Sequence, residues 1–186
     1  MRALITADLH LNDKSRDEYR HAFMRSLPEV VKTRNIDLLI VLGDLTDEKD
    51  RHSAWLVNAV VEHLYQLSKL CPVIVLRGNH DCLDPAFPFF GFLNRLDRVE
   101  WVNVPKGWDT LAARGDRALQ SDPGEPPSRA PFGLSSLLTT LYADLGPYLF
   151  LPHTRDYRVE WGGVPIKQYR FIFTHNTFTG VRIGHN

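Results

Sequence analysis

The chain has 186 residues, 44% hydrophobic and 24% charged, which is the composition of a soluble globular protein with one substantial core. Its 22 Lys and Arg residues are matched by 22 Asp and Glu residues, which excludes an overall basic field for nucleic acid but not a local basic patch. The first residues have no signal-peptide pattern and no apolar run approaches the ~20 residues of a membrane span, so we expect a cytoplasmic protein without membrane contact.

Three apolar runs in the first half of the chain predict buried strands at residues 3–7, 36–42 and 72–76. The runs are rich in leucine and β-branched residues and lack polar alternation, which is typical of parallel strands covered on both faces. A helical pattern lies between each pair of runs. The order strand, helix, strand, helix, strand predicts the core of a doubly wound α/β sheet.

The two helical patterns each have one apolar face. In the first helix, this face comprises Tyr19, Phe23, Leu27, Val30 and Val31. Pro28 also lies in this helix, and we expect it to kink or break the second half because proline has no amide hydrogen. The second helix begins at about Ser53, and its apolar face comprises Leu56, Val60, Leu64 and Leu67.

The pattern becomes less regular beyond the third strand. An aromatic-rich segment at residues 85–98 is expected to hold a short helix, and residues 99–104 alternate as a fourth strand. Residues 105–133 contain five of the twelve prolines and several arginines, which predicts a long irregular insertion rather than a domain boundary. We therefore expect one domain over residues 1–186.

Three further elements are predicted after the insertion. Residues 134–145 have the pattern of an amphipathic helix, which either packs on the sheet or binds a protein partner. Residues 148–154 and 169–176 predict strands that lead to His153 and His175. The position of His153 suits either the substrate side of a cleft or an ordinary turn.

Metal-binding residue types follow directly on several predicted strands. There are six of them: Asp8, His10, Asp44, Asn79, His80 and His175. Neighbouring strands lie about 4.8 Å apart, and open α/β sheets bind ligands beyond the carboxyl ends of their strands, so these side chains are expected to converge. A mixed set of carboxylate, imidazole and amide groups is typical of manganese, iron or zinc sites. The pattern therefore predicts a divalent metal site.

Four short motifs resemble those of one family. They are Asp8-Leu9-His10, Gly43-Asp44-Leu45-Thr46-Asp47, Gly78-Asn79-His80-Asp81 and Thr174-His175. Their order resembles the calcineurin-like metallophosphoesterases, and most closely the branch that contains the double-strand-break repair nucleases. The resemblance covers residues 3–82 well, residues 148–176 loosely and the insertion not at all. It implies an α/β metallophosphoesterase sandwich, in which two β-sheets are flanked by helices.

The resemblance also implies a metal ligand set. The expected cofactors are two divalent metal ions, with Mn²⁺ the first choice and iron or zinc the alternatives. Asp44 corresponds to the carboxylate that binds both ions. Asp8 and His10 would bind the first ion, whereas Asn79 and His175 would bind the second.

The remaining roles in the resemblance belong to the catalytic residues. His80 would not bind metal but would protonate the leaving oxygen, and the Asp47 carboxylate would hold its ring. Two metal ions about 3.5–4 Å apart would activate a hydroxide that attacks phosphorus. The implied reaction is therefore the hydrolysis of phosphodiester bonds.

The chain departs from the family pattern at its last residues. The family's closing motif, Gly-His-x-His, gives one histidine to each metal, whereas this sequence ends Gly184-His185-Asn186. Either the C-terminal part of the fold is incomplete in this sequence or the first metal lacks one ligand. The sequence leaves open whether His185 takes part.

The predicted function is that of a metal-dependent phosphodiesterase, and most specifically a nuclease acting on DNA. Two alternatives stay open: a phosphatase or nucleotide phosphodiesterase with a small substrate, and a non-catalytic scaffold with a defective metal site. A nuclease needs cations along a path to the metals. The candidates are Arg77, Arg114, Arg117, Arg129 and Arg155.

Overall fold

The computed structural model describes residues 1–108, 146–153 and 169–175. Among these residues, the first sheet consists of β1 (Ala3–Thr6), β2 (Leu38–Leu42), β3 (Val73–Leu76) and β4 (Val99–Val102). These strands are parallel and lie side by side in chain order. Helix α1 (Glu18–Arg34) follows β1, and helix α2 (Ala54–Ser68) follows β2. The predicted alternation of strands and helices is confirmed.

Strands β2 and β3 form the centre of this sheet, and their apolar side chains are buried on both faces. Successive side chains of a strand point to opposite faces. Leu39 and Val41 therefore pack with the apolar residues of α1 and α2. Leu38 and Ile40 point the other way and pack with Tyr148 of the second sheet.

The second sheet contains, among the described residues, β5 (Lys106–Trp108), β6 (Tyr148–Leu151) and β7 (Phe171–Thr174). Strand β5 is antiparallel to β6, and β6 is parallel to β7. Tyr148 and Phe150 of β6 pack on the face of the first sheet that the helices leave free. The result is a sandwich of two sheets with helices outside, as predicted.

The segment predicted as an irregular insertion, residues 105–133, begins with regular structure. Lys106–Trp108 pair with β6 and form β5, because the second sheet offers an edge to which they bond. Residues 109–133 lie outside the described residues, as do the predicted helix at 134–145 and His185. The expectation of one domain stays a prediction.

Helix α1 differs from its prediction in two ways. Pro28 does not break it, because Leu27 and Val31 are buried in the core and their packing offsets the one hydrogen bond that proline cannot donate. The buried face is also different from the predicted one. Tyr19 and Phe23 are exposed, and the buried residues are His21, Met24, Leu27 and Val31.

Helix α2 follows its prediction closely. The Ser53 hydroxyl accepts a hydrogen bond from the Leu56 N–H at 3.2 Å, which caps the helix N-terminus. The predicted apolar face is buried, and it comprises Leu56, Val60, Leu64 and Leu67. The aromatic-rich segment beyond β3 forms a short 3₁₀ helix, Phe89–Arg95. Neither α1 nor α2, the α-helices of the described residues, is long and apolar enough to cross a membrane.

Candidate metal centre

Three residues beyond β1 and β2 have a left-handed main-chain conformation. Asp8, His10 and Asp44 have φ angles of 54°, 44° and 51°. Such a conformation costs a non-glycine residue roughly 1–3 kcal/mol and is common at functional sites. It is held here because the Asp8 N–H donates to the Gly43 carbonyl at 3.2 Å and the His10 N–H donates to the Asp44 carbonyl at 2.9 Å. These bonds extend the pairing of β1 with β2 and set the three side chains next to one another.

Two glycines allow the loops after β2 and β3 to approach each other closely. A Cβ atom on Gly78 would lie 2.2 Å from the Asp44 nitrogen and 2.3 Å from its Oδ1. A Cβ atom on Gly43, which has a φ of 81°, would lie 2.7 Å from Cγ of His175. Only glycine therefore fits at either position without moving Asp44 or His175.

The Asp44 carboxylate lies at the centre of the site and is only 3% exposed. Its Oδ1 accepts a hydrogen bond from the His80 N–H at 2.8 Å. Its Oδ2 lies 3.2 Å from Nε2 of His175 and 3.5 Å from Nε2 of His10. Oδ1 of Asp8 lies close by, 3.9 Å from the His10 nitrogen and 4.0 Å from the His175 nitrogen. One carboxylate oxygen thus lies between two imidazoles from different sheets.

The His175 ring is fixed in the orientation that a metal ligand needs. Its Nδ1–H donates to the Leu42 carbonyl at 2.6 Å, so the lone pair of neutral His175 is on Nε2. Nε2 faces Asp44 and lies 3.0 Å from Oδ1 of Asn79. The structure therefore places Asn79 and His175, both predicted ligands of the second metal, beside the carboxylate predicted to bridge.

Charges within the site shift the pKa values of these groups. The hydrogen bond with Asp44 outweighs burial and raises the pKa of His175 to about 9. Burial alone would raise the pKa of Asp44, but its hydrogen bonds with His175 and the His80 amide outweigh burial and hold that pKa below its usual range. Without a metal, the two residues therefore form an ion pair at neutral pH.

The contact between His80 and Asp47 uses a different group from the one predicted. Nδ1–H of His80 donates to the Asp47 main-chain carbonyl at 3.0 Å, not to the carboxylate. The carboxylate instead lies 3.5 Å from Nδ1 of His10 and 3.3 Å from Nζ of Lys14. The hydrogen bond with His80 is therefore made by the Asp47 main chain, while the carboxylate pairs with His10 and Lys14.

Asp81 is a site residue that sequence reasoning left without a role. It is fully buried and accepts hydrogen bonds from the N–H groups of Leu45 (2.8 Å), Thr46 (3.3 Å) and Gly78 (2.7 Å). Burial raises its pKa to about 6. Asp81 ties the loop after β3 to the loop after β2, and its position at the end of the Gly-Asn-His-Asp motif was the available signal.

The carbonyl of His10 is held by two side chains that the sequence did not single out. Nη1 of Arg20 donates to it, and so does Nδ2 of Asn12 at 3.2 Å. Asn12 also donates to Oδ2 of Asp17 at 3.0 Å. These bonds connect the strained loop after β1 to the start of α1.

His153 lies near the site but outside its closest contacts. Its ring centroid is 6.2 Å from that of His175, and its Nδ1 is buried. Its main-chain N–H donates to the Arg77 carbonyl at 2.8 Å, and its carbonyl accepts from the Arg77 guanidinium. Arg77 is only 3% exposed and serves to join the two sheets. The other four candidate arginines lie outside the part of the chain that the structure describes.

The donor atoms of this site fit divalent cations. In the described residues, one group of ligand atoms lying within 4.8 Å of one another comes from Asp8, Asp44 and His175, and a second comes from His10, Asp47 and His80. At this spacing, carboxylates repel one another or pair with protonated imidazoles. A cation bound between these groups would remove the repulsion and displace the protons. The structure thus brings all seven predicted site residues into one region at the carboxyl ends of β1, β2, β3 and β7.

Comparison with known proteins identifies related chains. A family model described as calcineurin-like phosphoesterase matches residues 1–175. One subunit of the nuclease SbcCD, from Escherichia coli (strain K12), is 36% identical over 103 residues, which cover 50% of this chain and 25% of that protein.

Viral proteins are also similar to the chain. "Putative phosphoesterase 244L" of Invertebrate iridescent virus 6 is 27% identical over 92 residues, or 50% of this chain and 28% of that protein. "Putative phosphoesterase 078R" of Invertebrate iridescent virus 3 is 26% identical over 117 residues, or 63% of this chain and 31% of that protein. Each match thus spans less than a third of the relative.

Proposed function

The chain belongs to the calcineurin-like phosphoesterase family, and from this premise we propose that it hydrolyses phosphodiester bonds in DNA with divalent cations. The observation that carries the proposal is the Asp44 carboxylate, whose Oδ2 lies within 3.5 Å of imidazole nitrogens from both sheets. This supports the proposal that the Asp44 carboxylate would serve both cations. A second carboxylate, Asp8, lies beside both imidazoles.

The proposed ligands are the five residues expected from the sequence: Asp8, His10, Asp44, Asn79 and His175. When bound, the cations would neutralise charge on the phosphate and lower the pKa of a water molecule. The protein's contribution is orientation. Nε2 of His175 faces Asp44 because the other ring nitrogen is bonded to the Leu42 carbonyl, and a cation would displace the Nε2 proton. We propose Mn²⁺ as the preferred ion, with iron and zinc as alternatives, because nitrogen and oxygen ligands are mixed.

His80 is the proposed general acid. Its Nδ1 is bonded to the Asp47 carbonyl, which fixes the ring and leaves Nε2 as the atom that can give a proton to the leaving oxygen. Its ring centroid lies 5.0 Å from that of His10, so it is adjacent to the proposed ligands. Asp47 supports this role through its main chain, and its carboxylate lies beside His10.

The proposal of DNA as the substrate is supported by the nuclease among the relatives. Lys14 and Arg16, on the segment between the site and α1, are exposed cations that can contact a phosphate backbone.

One observation favours a second candidate, a phosphodiesterase of small nucleotides. Arg77 was predicted to line a basic groove, and it is among the described residues. It is buried and therefore cannot contact a strand of DNA.

The test is metal content combined with hydrolysis. The chain, loaded with Mn²⁺, is assayed on single- and double-stranded DNA and on bis(p-nitrophenyl) phosphate. Hydrolysis of DNA that chelation abolishes supports the nuclease. Hydrolysis of the small diester without DNA cleavage supports the second candidate. Metal binding at Asp44 without hydrolysis of any substrate contradicts both and leaves the scaffold alternative.

A further inference from the structure

An open groove with a volume of about 380 Å³ lies against α1 at the end of β1. Asp8 forms part of its wall, so the groove is continuous with the proposed metal centre. Tyr19, Arg20 and Phe23 form the wall on the side of α1. This volume is in the range of pockets that hold small organic ligands, which is roughly 300–1,000 Å³.

The two aromatic residues of this groove are not used by the core. Tyr19 is 62% exposed and Phe23 is 43% exposed, although both were predicted to lie on the buried face of α1. They are four residues apart and therefore neighbours on one face of the helix. Because Met24 and Leu27 supply the core contacts of α1, the exposed rings are available for a ligand.

The Tyr19 ring is held in position. Nε of Arg20 donates to the Tyr19 hydroxyl at 3.1 Å, and the guanidinium carbon lies 5.6 Å from the ring centroid. The same guanidinium donates to the His10 carbonyl, so one side chain orients both the aromatic ring and the loop of the metal centre. A ring that is ordered before binding loses less conformational entropy on contact with a ligand.

We propose that this groove is a subsite for a nucleobase of the phosphodiester substrate, which stacks on Tyr19 beside Phe23. The inference rests on the proposed function, because it assumes that the phosphate lies at the metal centre. Three features favour a nucleotide base: the flat exposed rings, the volume, and the positive Arg20, which bonds both the Tyr19 hydroxyl and the His10 carbonyl. Stacking tolerates every base, so this subsite would add affinity without sequence preference.

The test compares two esters with the same leaving group. Thymidine 5′-(p-nitrophenyl phosphate) carries a base, whereas methyl p-nitrophenyl phosphate does not, and both release p-nitrophenolate. In Tyr19→Ala we expect kcat/KM for the thymidine ester to fall about tenfold, a change within the range that loss of one base–aromatic stack produces. The methyl ester should be hydrolysed as by the wild-type chain. Tyr19→Phe retains the aromatic ring, so the ratio of kcat/KM for the thymidine ester to kcat/KM for the methyl ester should stay close to the wild-type ratio.

Tyr65→Ala is the matched control. Tyr65 is an exposed tyrosine of α2 that does not line the groove, so its removal should change neither ester. An equal fall for both esters in Tyr19→Ala, or no fall for either, would overturn the subsite and leave phosphodiester hydrolysis standing. Competition by oligothymidylate supports a base that belongs to a DNA strand. Competition by thymidine monophosphate supports a base that belongs to a free nucleotide.

A binding measurement separates this inference from the proposed function. If the wild-type chain hydrolyses neither ester, equilibrium dialysis of thymidine monophosphate decides the subsite, and the proposed function is wrong only if DNA is not hydrolysed either. Nucleotide binding that weakens in Tyr19→Ala but not in Tyr65→Ala supports the groove. Equal binding by the three chains, or no binding, overturns it.

Discussion

At the scale of single residues, the Asp44 carboxylate contacts residues from three different loops of the site. Its Oδ1 orders the His80 main chain, and its Oδ2 faces His10 and His175. A carboxylate that is this buried is stable only with partners that compensate its charge. Protons on histidine supply that compensation without metal, and cations would supply it in the proposed enzyme.

Asp44→Asn is expected to lose most bound metal and all measurable hydrolysis together. The amide is neutral and cannot bridge two cations, and the Asp8 carboxylate lies farther than Asp44 from both imidazoles. Metal analysis and the bis(p-nitrophenyl) phosphate assay check this. Asp13→Asn, which changes an exposed acid on the nearby loop, is the control and should keep both properties. Two metal ions per chain and full activity in Asp44→Asn would disprove the bridging assignment.

His80→Asn is expected to lower turnover and leave metal content unchanged. A general acid typically contributes about 10²–10⁴ in rate, and this contribution matters most when the leaving group is a poor one. We therefore expect a large loss on an alkyl ester and a small one on a p-nitrophenyl ester. Equal losses on the two esters would mean that His80 positions the substrate instead.

At the scale of secondary-structure elements, the site depends on how closely the loops after β2 and β3 approach each other. Asp81 bonds three main-chain N–H groups across these loops, and Gly78 lets the loops touch. The helices contribute in a different way. Helix α1 supplies Arg20 to the His10 carbonyl, while its buried residues anchor it to the sheet.

Gly78→Ala is expected to weaken metal binding by at least tenfold and to lower the free energy of unfolding by about 1–3 kcal/mol. The added Cβ would lie 2.2 Å from the Asp44 nitrogen, so the two loops must separate. Gly91→Ala is the matched control, because within the described residues its Cβ would meet only the Pro88 side chain, at 3.6 Å. Metal titration and thermal unfolding of the two variants check this. Equal metal affinity in both would show that the close approach is not needed.

At the scale of the whole molecule, the site joins the two sheets. Asp8, Asp44 and Asn79 follow strands of the first sheet, and His175 follows β7 of the second sheet. The contact between His175 and Asp44 is therefore also a contact between sheets, and its strength depends on the protonation of His175. Stability, metal affinity and pH are coupled through this pair.

The metal-free chain is expected to lose stability as pH rises from about 6.5 to about 9. The pKa of His175 is about 9 in the folded chain and near 6.5 in an unfolded one, so the folded state binds the proton more tightly. This contribution is fully present below pH 6.5 and is lost as pH passes through 9. Thermal unfolding over this range checks it, with His175→Asn as the control that should show a flatter profile. Metal displaces the same proton, so metal affinity should rise over the same pH interval.

The sequence by itself determined the strands, the alternation with helices and the residue types at the strand ends. Unbroken runs such as residues 36–42 have no stable position except inside a covered sheet, and this local property needs no knowledge of contacts. The motifs around Asp8, Asp44 and His80 likewise indicated the family, because each lies within a few residues of its strand.

Only the tertiary structure decided which atoms of these residues meet. The pattern of α1 placed Tyr19 and Phe23 in the core, but the direction from which the sheet approaches the helix leaves them exposed beside Asp8. Asp47 bonds His80 through its main-chain carbonyl, and its carboxylate pairs with His10 and Lys14, because the loop direction, which periodicity does not encode, sets where each group of Asp47 lies. The physical reason is the same in both cases: spacing along the chain fixes which residues share a face, whereas the packing of separate elements fixes what that face contacts.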